Sequence, residues 1–324
     1  MFNLLDNLVK WLDRRFLIAY WAPVAIGLAG FALIVAMDRG FAGVSQRVLK
    51  LDSFGKIVLA TAVVVAITVL ASVLQALTGP MIRLYEGYPF GKLLRDTFRN
   101  GEAVRRARVA ARQVARRDET GKQQKSSEAY FFFPPDDSVL RPTRLGNVIY
   151  SAEEYPRKTY AIDSVLWWPR MTAVLPEAFR SQIDGALIAM VTLLNLCSTF
   201  VVLAAAGGVY LLGWNRSAWM FAIPVVAGAL LARGCYLAAV SQAVSYGNLI
   251  RVAYDFYRHL VLKNLRVPIP EELDDEMELW DALSIWIFYF HSPKQYRSPL
   301  HGDYPFEHAF RFAGASDSPA PPAA

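Results

Sequence analysis

Cysteine and histidine are scarce in this sequence, which contains two cysteines and four histidines among 324 residues. Cys197 and Cys235 both lie in long apolar runs, where a thiol behaves as a small apolar side chain. No histidine lies three or four residues from another, so no zinc signature occurs; the four are His259, His291, His301 and His308. We therefore expect no metal site and no cofactor.

Catalytic and nucleotide-binding motifs are also missing. The chain contains no GxSxG, HExxH, GxGxxG or GxxxxGK[ST] run. Glu153 and Glu154 are adjacent, so on a helix they point about 100° apart and do not form a working pair. Glu153 or Asp163 could serve as a general base, but the neighbouring sequence offers neither a nucleophile nor a metal ligand. The sequence thus favours a protein that is not an enzyme.

Charge is missing from four long apolar runs. Phe16–Met37, Ile57–Thr78 and Gly185–Trp214 contain no charged residue, and Ser217–Val240 contains only Arg233. Each run is long enough to cross a hydrocarbon core of about 30 Å. The sequence therefore predicts an all-α integral membrane protein with four transmembrane helices in two hairpins and a helical cytoplasmic layer.

The predicted layout follows from these runs and from the composition between them. Five segments are expected. Segment 1–79 contains an N-terminal amphipathic helix and the first hairpin, with spans 16–37 and 57–78, and segment 80–182 is a cytoplasmic helical region with a basic helix at 92–117 and a flexible loop at 118–140. Segment 183–240 is the second hairpin, with spans 185–213 and 217–240, segment 241–312 contains C-terminal cytoplasmic helices, and segment 313–324 is a disordered tail. Span 4 is expected to continue as one rod, because apolar residues keep a helical spacing beyond it. Pro156 and Pro169 are expected to end two short helices.

Lysine and arginine are concentrated on one side of the predicted spans. They precede span 1 and follow spans 2 and 4, whereas the connection between spans 3 and 4 has only Arg216. The loop between spans 1 and 2 opposes this bias with four basic residues. Because cytoplasmic loops carry the excess of positive charge, both termini and the central region are predicted to be cytoplasmic. The first span lacks a cleavage site and is expected to be retained in a bacterial inner membrane.

The basic helix at 92–117 carries nine lysine and arginine residues directly after a predicted span. A solvated helix face is one interpretation, and contact with anionic lipid headgroups is the favoured one, at about 1 kcal/mol per residue. The candidate lipid contacts are Arg105, Arg106, Arg108 and Arg112. Nucleic-acid binding is disfavoured, because aromatic stacking partners are few within this helix.

Arg233 is the only charge within the predicted spans. It could extend to the headgroups, line a water-filled cavity as an anion-attracting site, or form an intramembrane charge pair with Asp184 at the cytoplasmic end of span 3. We expect the charge pair, since the counted depth places the two residues one or two turns apart. Asn195 is near the middle of span 3 and is expected to bond another helix.

The segment from 141 to 171 is dense in polar and aromatic residues. It is interpreted either as an active site or, preferably, as a joint of short helices below the membrane that polar contacts hold together. The candidate residues are Thr143, Arg144, Asn147, Glu153, Asp163 and Arg170. Trp167 and Trp168 would suit the headgroup layer, where amphipathic rings concentrate.

The run PTRLGNVIYSAEEYPRKTYAIDSVLWWPRM resembles a pattern in uncharacterised bacterial four-span membrane proteins. The runs LDRRFLIAYWAPV, RLYEGY and EMELWDALSIWIF are also similar to that family. The resemblance covers most of the chain, but it implies no activity and no functional residues. Paired hairpins around a cytoplasmic helical region are also similar in plan to bestrophin-type anion channels, without their characteristic motifs.

The leading functional hypothesis is a non-enzymatic, homo-oligomeric inner-membrane protein. It would act as a channel or as an effector that permeabilises the membrane on a cytoplasmic signal, given by a protein or a small molecule. One alternative is a membrane-anchored scaffold that recruits partners or anionic lipid through its cytoplasmic helices. A weaker alternative is a lipid-modifying enzyme.

Overall fold

The computed structural model describes residues 14–41, 50–88, 96–109, 131–134, 139–213 and 218–289. In these ranges all regular secondary structure is helical and no strand occurs, which confirms the all-α fold class. The helices are α1 (Arg14–Arg39), α2 (Ser53–Ala76), α3 (Thr78–Glu86), α4 (96–109), α5 (Arg144–Tyr160), α6 (Ser164–Val174), α7 (Glu177–Gly213), α8 (Ala218–Asn264) and α9 (Leu273–Tyr289). The predicted amphipathic segment before Arg14, most of the predicted loop at 118–140 and the tail at 313–324 lie outside the described residues.

Four of these helices are long and apolar enough to cross a membrane: α1, α2, α7 and α8. The chain is therefore a multi-pass membrane protein, as predicted. Helix α8, which contains span 4, runs unbroken to Asn264, and this confirms that the helix continues well beyond the span. One turn of α1, Leu17–Trp21, is a π-helix, in which the backbone is locally wider than in an α-helix.

The two short helices of the central segment do not end at their prolines. Pro156 lies inside α5 and Pro169 lies inside α6, so the predicted helix ends are wrong. Each proline removes one intrahelical N–H donor, but the helix continues past it. The end of α5 comes after Tyr160, where Ala161 adopts a φ of 57° and leaves the helical conformation.

The chain divides into two compact units, each built from two stretches of sequence. The first unit comprises residues 1–149 and 184–246, and the second comprises residues 150–183 and 247–324. The first unit contains a core of Leu145, Val148, Ile149, Met190, Leu194, Ala239, Val240 and Ala243. The largest fully buried side chains of the second unit are Trp167, Trp280, Tyr254, Ile162, Met171, Leu262 and Leu283.

A tight crossing in the first unit joins the end of α3 to the start of α5. Helix α3 ends at Glu86 and is followed by the C-cap residue Gly87, whose φ of 89° lies in the left-handed region that favours glycine. A methyl group at Gly146 would lie 2.5 Å from the carbonyl oxygen of Glu86. Only glycine at position 146 therefore lets these two helix ends approach so closely.

Candidate functional site

Helices α7 and α8 pack antiparallel in the first unit, and their contacts define how they align. A methyl group at Gly228 would lie 2.7 Å from Cβ of Ala204 and 3.0 Å from the carbonyl oxygen of Phe200. Closer to the other end of this helix pair, Met190 and Leu194 share a core cluster with Ala239, Val240 and Ala243. Gly228 is level with Ala204 of α7. Arg233 lies five residues beyond Gly228, and because the two helices are antiparallel it is level with position 199 of α7.

Polar contacts mark the two ends of the membrane-crossing part of this unit. At one end Arg15 Nη1 lies 2.9 Å from Asp184 Oδ2, and at the other the Tyr210 hydroxyl donates to Asp38 Oδ2 at 3.2 Å. At 1.5 Å per residue, Arg233 is about 22 Å from the level of Asp184 and about 16 Å from the level of Tyr210. Arg233 therefore lies between these two levels along α8.

The predicted pair between Arg233 and Asp184 is wrong, because Asp184 is paired with Arg15. The prediction assumed that Asp184 is level with the end of span 4 near Val240. In the observed alignment of α7 with α8, Asp184 is instead level with a position about eight residues beyond Val240, and so it is further from Arg233. Arg233 is exposed, and it forms no hydrogen bond, ion pair or ring contact with any residue described here. Arg233 is thus an exposed charge, with no partner among the described residues, on a helix that is long and apolar enough to cross a membrane.

The face of α8 that carries Arg233 is polar on one side of that residue and apolar on the other. Leu237, Ser241 and Ser245 are exposed between Arg233 and the end of the unit near Asp184. On the opposite side the exposed residues are Ile223, Val226, Ala227 and Leu230. The guanidinium and two hydroxyls are therefore exposed on one half of α8, and the exposed residues of the other half are apolar.

The expected interhelical contact of Asn195 is confirmed. Asn195 is buried, and its Nδ2 donates to the carbonyl oxygen of Ala19 at 2.7 Å. Ala19 lies in the π-helical turn of α1, where the wider backbone changes the hydrogen-bond pattern of the helix. The amide of Asn195 thus ties α1 to α7 inside the span.

The polar segment at 141–171 supplies residues to both units. In the first unit, Asn147 is fully buried, and its Oδ1 accepts from the backbone N–H of Arg141 at 2.7 Å. Asn147 Nδ2 donates to Arg141 O at 3.1 Å and to Glu102 Oε2 at 3.4 Å. Arg144 Nε lies 3.8 Å from Glu102 Oε1. These contacts tie the chain before α5 to the basic helix α4.

Two candidate joint residues cap helices, as residues of a joint would. Thr143 Oγ1 accepts from the backbone N–H of Gly146 at 3.0 Å, at the start of α5. Asp163 Oδ1 accepts from the backbone N–H of Leu166 at 3.1 Å, at the start of α6. Each cap satisfies one of the amides that a helix N-terminus leaves without an intrahelical partner.

The remaining two candidates, Glu153 and Arg170, belong with Asp163 to the second unit. The carbonyl oxygen of Glu153 accepts from Ser164 Oγ at 2.7 Å, and Arg170 Nη1 donates to Leu166 O at 2.9 Å. Trp167 is fully buried and meets Trp280 edge to face at 4.8 Å, so its predicted place in the headgroup layer is wrong. Aromatic stacking in the core of this unit outweighs the interfacial preference of the ring.

The basic helix keeps only part of its predicted lipid-contact set. Arg105 Nη1 lies 3.3 Å from Glu102 Oε2, and its guanidinium stacks over Phe132 and Phe133 at 5.6 and 5.2 Å. Arg105 is therefore engaged in packing within the first unit. Arg108 is exposed and Arg106 is half-buried, while Arg112 lies outside the described residues.

A partly buried hydrogen-bond network in the second unit was not predicted. The hydroxyls of Tyr155 and Tyr160 both donate to Asp255 Oδ1, at 2.8 and 2.7 Å. Burial, and then the bond to Asp255, raise the pKa of both tyrosines above the ordinary value, so both remain protonated donors. Arg251, which is 3% exposed, donates to Ser151 Oγ at 2.8 Å.

The same network continues through a buried ion pair. Arg258 donates to both carboxylate oxygens of Glu276, at 2.8 and 3.1 Å, and its guanidinium lies 3.9 Å from the ring centroid of Tyr160. Trp280 Nε1 also donates to Glu276, at 3.1 Å. The spacing of Arg251, Asp255 and Arg258 by three or four residues was the sequence signal that all three share one face of a helix.

No three His, Cys, Asp or Glu side chains of the described ranges come together as metal ligands would. Comparison of the chain with protein-family models, with curated proteins and with solved structures gives no significant match. The functional argument therefore depends on the geometry of Arg233 and its surroundings.

Proposed function

We propose that this protein is a non-enzymatic, homo-oligomeric channel or membrane-permeabilising effector that conducts anions past Arg233. The observation that carries the proposal is an exposed arginine on the α8 span with no partner among the described residues. An arginine that faced lipid at the bilayer centre would cost between about 3 and more than 10 kcal/mol. Neighbouring copies that enclose a water-filled path remove that cost.

The surroundings of Arg233 fit such an assembly. Most of the α8 span is not buried within one chain, so this helix has surface to share with another copy. Closed rotational symmetry would bring one Arg233 from each copy to a common axis. A ring of guanidinium groups attracts anions and repels cations. Ser241 and Ser245 would extend the polar lining towards the cytoplasmic side.

The proposed location is a bacterial inner membrane with both termini in the cytoplasm. The support is the distribution of lysine and arginine around the spans, with Arg14 and Arg15 in the first turn of α1 and Arg83 after α2. A protein or small-molecule signal would then act from the cytoplasmic side.

Flux measurements on purified protein in liposomes test this function. We expect chloride flux to exceed potassium flux, and Arg233→Gln to lower that preference about tenfold, because one charge close to the ion path is removed. Arg180→Gln is the matched control, since Arg180 is an exposed arginine at the start of α7 and carries the same charge. An anion preference that survives Arg233→Gln unchanged would contradict the proposal.

A scaffold remains the second candidate function, and one observation favours it: Arg108 is exposed on the basic helix. Cross-linking in native membranes, read beside the flux assay, separates the two functions. A stable oligomer that conducts no ions would support the scaffold, and binding to anionic vesicles that Arg108→Glu weakens would identify its lipid-binding surface.

A further inference from the structure

A cavity of about 430 Å³ lies in the first unit, at the end of the spans marked by Arg15 and Asp184. Both charged residues line it, together with the polar residues Tyr20, Gln75 and Thr78. The remaining wall is apolar and includes Ile82, Leu187 and Ile188. Its size and its mixture of apolar wall and few polar groups are typical of small-ligand sites.

The charged side of the cavity carries one positive and one negative group. Asp184 Oδ2 is paired with Arg15 Nη1 at 2.9 Å, and Asp184 Oδ1 has no hydrogen-bond partner among the described residues. The two side chains are 35% and 51% exposed, so a ligand can approach both. A pair with no net charge favours a ligand that also carries both signs, with a cation that donates to the carboxylate.

The cavity wall is held by hydrogen bonds that span three helices. The hydroxyls of Thr78 and Tyr20 are bonded at 3.1 Å and join the start of α3 to α1. Asn195 holds the carbonyl of Ala19, which is also part of the wall, at 2.7 Å. These contacts keep the cavity open without a ligand, as a preorganised site requires.

We propose that this cavity binds a phospholipid whose headgroup carries a phosphate and a primary ammonium, as in phosphatidylethanolamine. The phosphate would lie beside Arg15, the ammonium would donate to Asp184 Oδ1, and the first part of an acyl chain would follow Leu187 and Ile188. A choline headgroup has no N–H to donate, so it would leave the carboxylate without this bond. The inference needs only that the four helices lie in a membrane, and it does not depend on conduction.

Lipid titration of the purified full-length protein in detergent, followed by native mass spectrometry, tests this inference. Lipids with identical acyl chains and ethanolamine, choline or glycerol headgroups are compared. We expect the ethanolamine lipid to bind about tenfold more tightly than the choline lipid, the size of one hydrogen bond to a charged group. Soluble phosphoethanolamine at the same concentration should not compete, because it lacks the apolar part.

Two variants test whether Asp184 binds the ammonium of the headgroup and Arg15 binds its phosphate. Asp184→Asn should reduce the preference for ethanolamine over choline, because the bond to the ammonium loses its negative charge. Arg15→Gln should weaken the binding of both lipids alike, since both carry the phosphate. Glu177→Gln is the control: Glu177 is also an ion-paired carboxylate on α7, but it does not line the cavity. A wild-type protein that binds both headgroups equally overturns the inference without any variant. Full competition by phosphoethanolamine, or an effect of Glu177→Gln as large as that of Asp184→Asn, also overturns it.

Discussion

Arg233 and Arg251 lie on the same helix, 18 residues apart, and their surroundings are opposite. Arg251 is 3% exposed, donates to Ser151 Oγ at 2.8 Å and has its guanidinium 5.9 Å from the ring centroid of Tyr155. Arg233 is exposed and has no partner in the part of the chain that the structure describes. The second unit thus encloses Arg251, whereas the first unit leaves Arg233 exposed on the α8 span.

The difference indicates which unit is complete within one chain. In the second unit Arg258 and Glu276 neutralise one another, and the surrounding tyrosines and Trp280 supply further hydrogen bonds. The open arginine of the first unit needs water or another copy. The proposed conduction therefore concerns the first unit, which contains Arg233.

The largest expected effect comes from removing the ion pair between Arg258 and Glu276 in the second unit. Arg258→Met should lower the free energy of unfolding of the second unit by about 3 kcal/mol, because it leaves the buried Glu276 carboxylate without its cation. Thermal unfolding followed by tryptophan fluorescence would measure the loss. Arg180→Met, at an exposed pair with Glu177, should change stability by less than about 0.5 kcal/mol. Equal effects of the two substitutions would show that the second unit is not held by its network.

A smaller effect is expected at the tight crossing in the first unit. Gly146→Ala places a methyl group 2.5 Å from the backbone oxygen of Glu86, so it should destabilise the protein by about 2 kcal/mol. Gly185→Ala is the matched control, because no atom lies within 4 Å of the added methyl group. It should leave stability unchanged or raise it slightly, by helix propensity. The thermal midpoints of the two variants in one detergent make the comparison.

The hydrogen bond within the span is expected to contribute less. Asn195→Ala removes the bond to the Ala19 carbonyl and should cost about 1 kcal/mol, within the range measured for interhelical bonds in membranes. Thr192→Ala removes only a bond to Ile188 O of its own helix, and it should cost less. Resistance to unfolding in mixed micelles would rank the two variants, and the reverse order would contradict this role for Asn195.

The smallest effect concerns pH. Because the pKa of Tyr155 and of Tyr160 is raised by burial and by Asp255, their contribution to stability is fully present below the ordinary tyrosine value of about 10. It is lost as the pH rises through the values of the folded protein. Tyrosinate absorbance of these two residues should therefore appear at a higher pH in the folded protein than in the unfolded one. Subtracting the titration of a Tyr155→Phe, Tyr160→Phe double variant isolates this signal.

The sequence was sufficient for the four spans and for the long fourth helix, because missing charge and helical spacing are local signals. It was not sufficient for the register of α7 and α8, which depends on the fit of Gly228 against Ala204. The ion pair of Asp184 with Arg15 and the burial of Trp167 were also missed, since both depend on residues far away in the chain. The capping roles of Thr143 and Asp163 were accessible from local sequence, because caps are made within three residues.

Water access to position 233 is the most direct test of the central claim. Cysteine is introduced as Arg233→Cys after Cys197 and Cys235 are replaced by alanine, and the protein in membranes is treated with a charged, membrane-impermeant thiol reagent. Val65→Cys is the control, since Val65 is 54% exposed within the α2 span and is expected to face lipid. We predict that the cysteine at position 233 reacts and the cysteine at position 65 does not. If both positions stay unmodified by this reagent while a lipid-soluble maleimide labels both, Arg233 faces lipid and the proposed anion path does not exist.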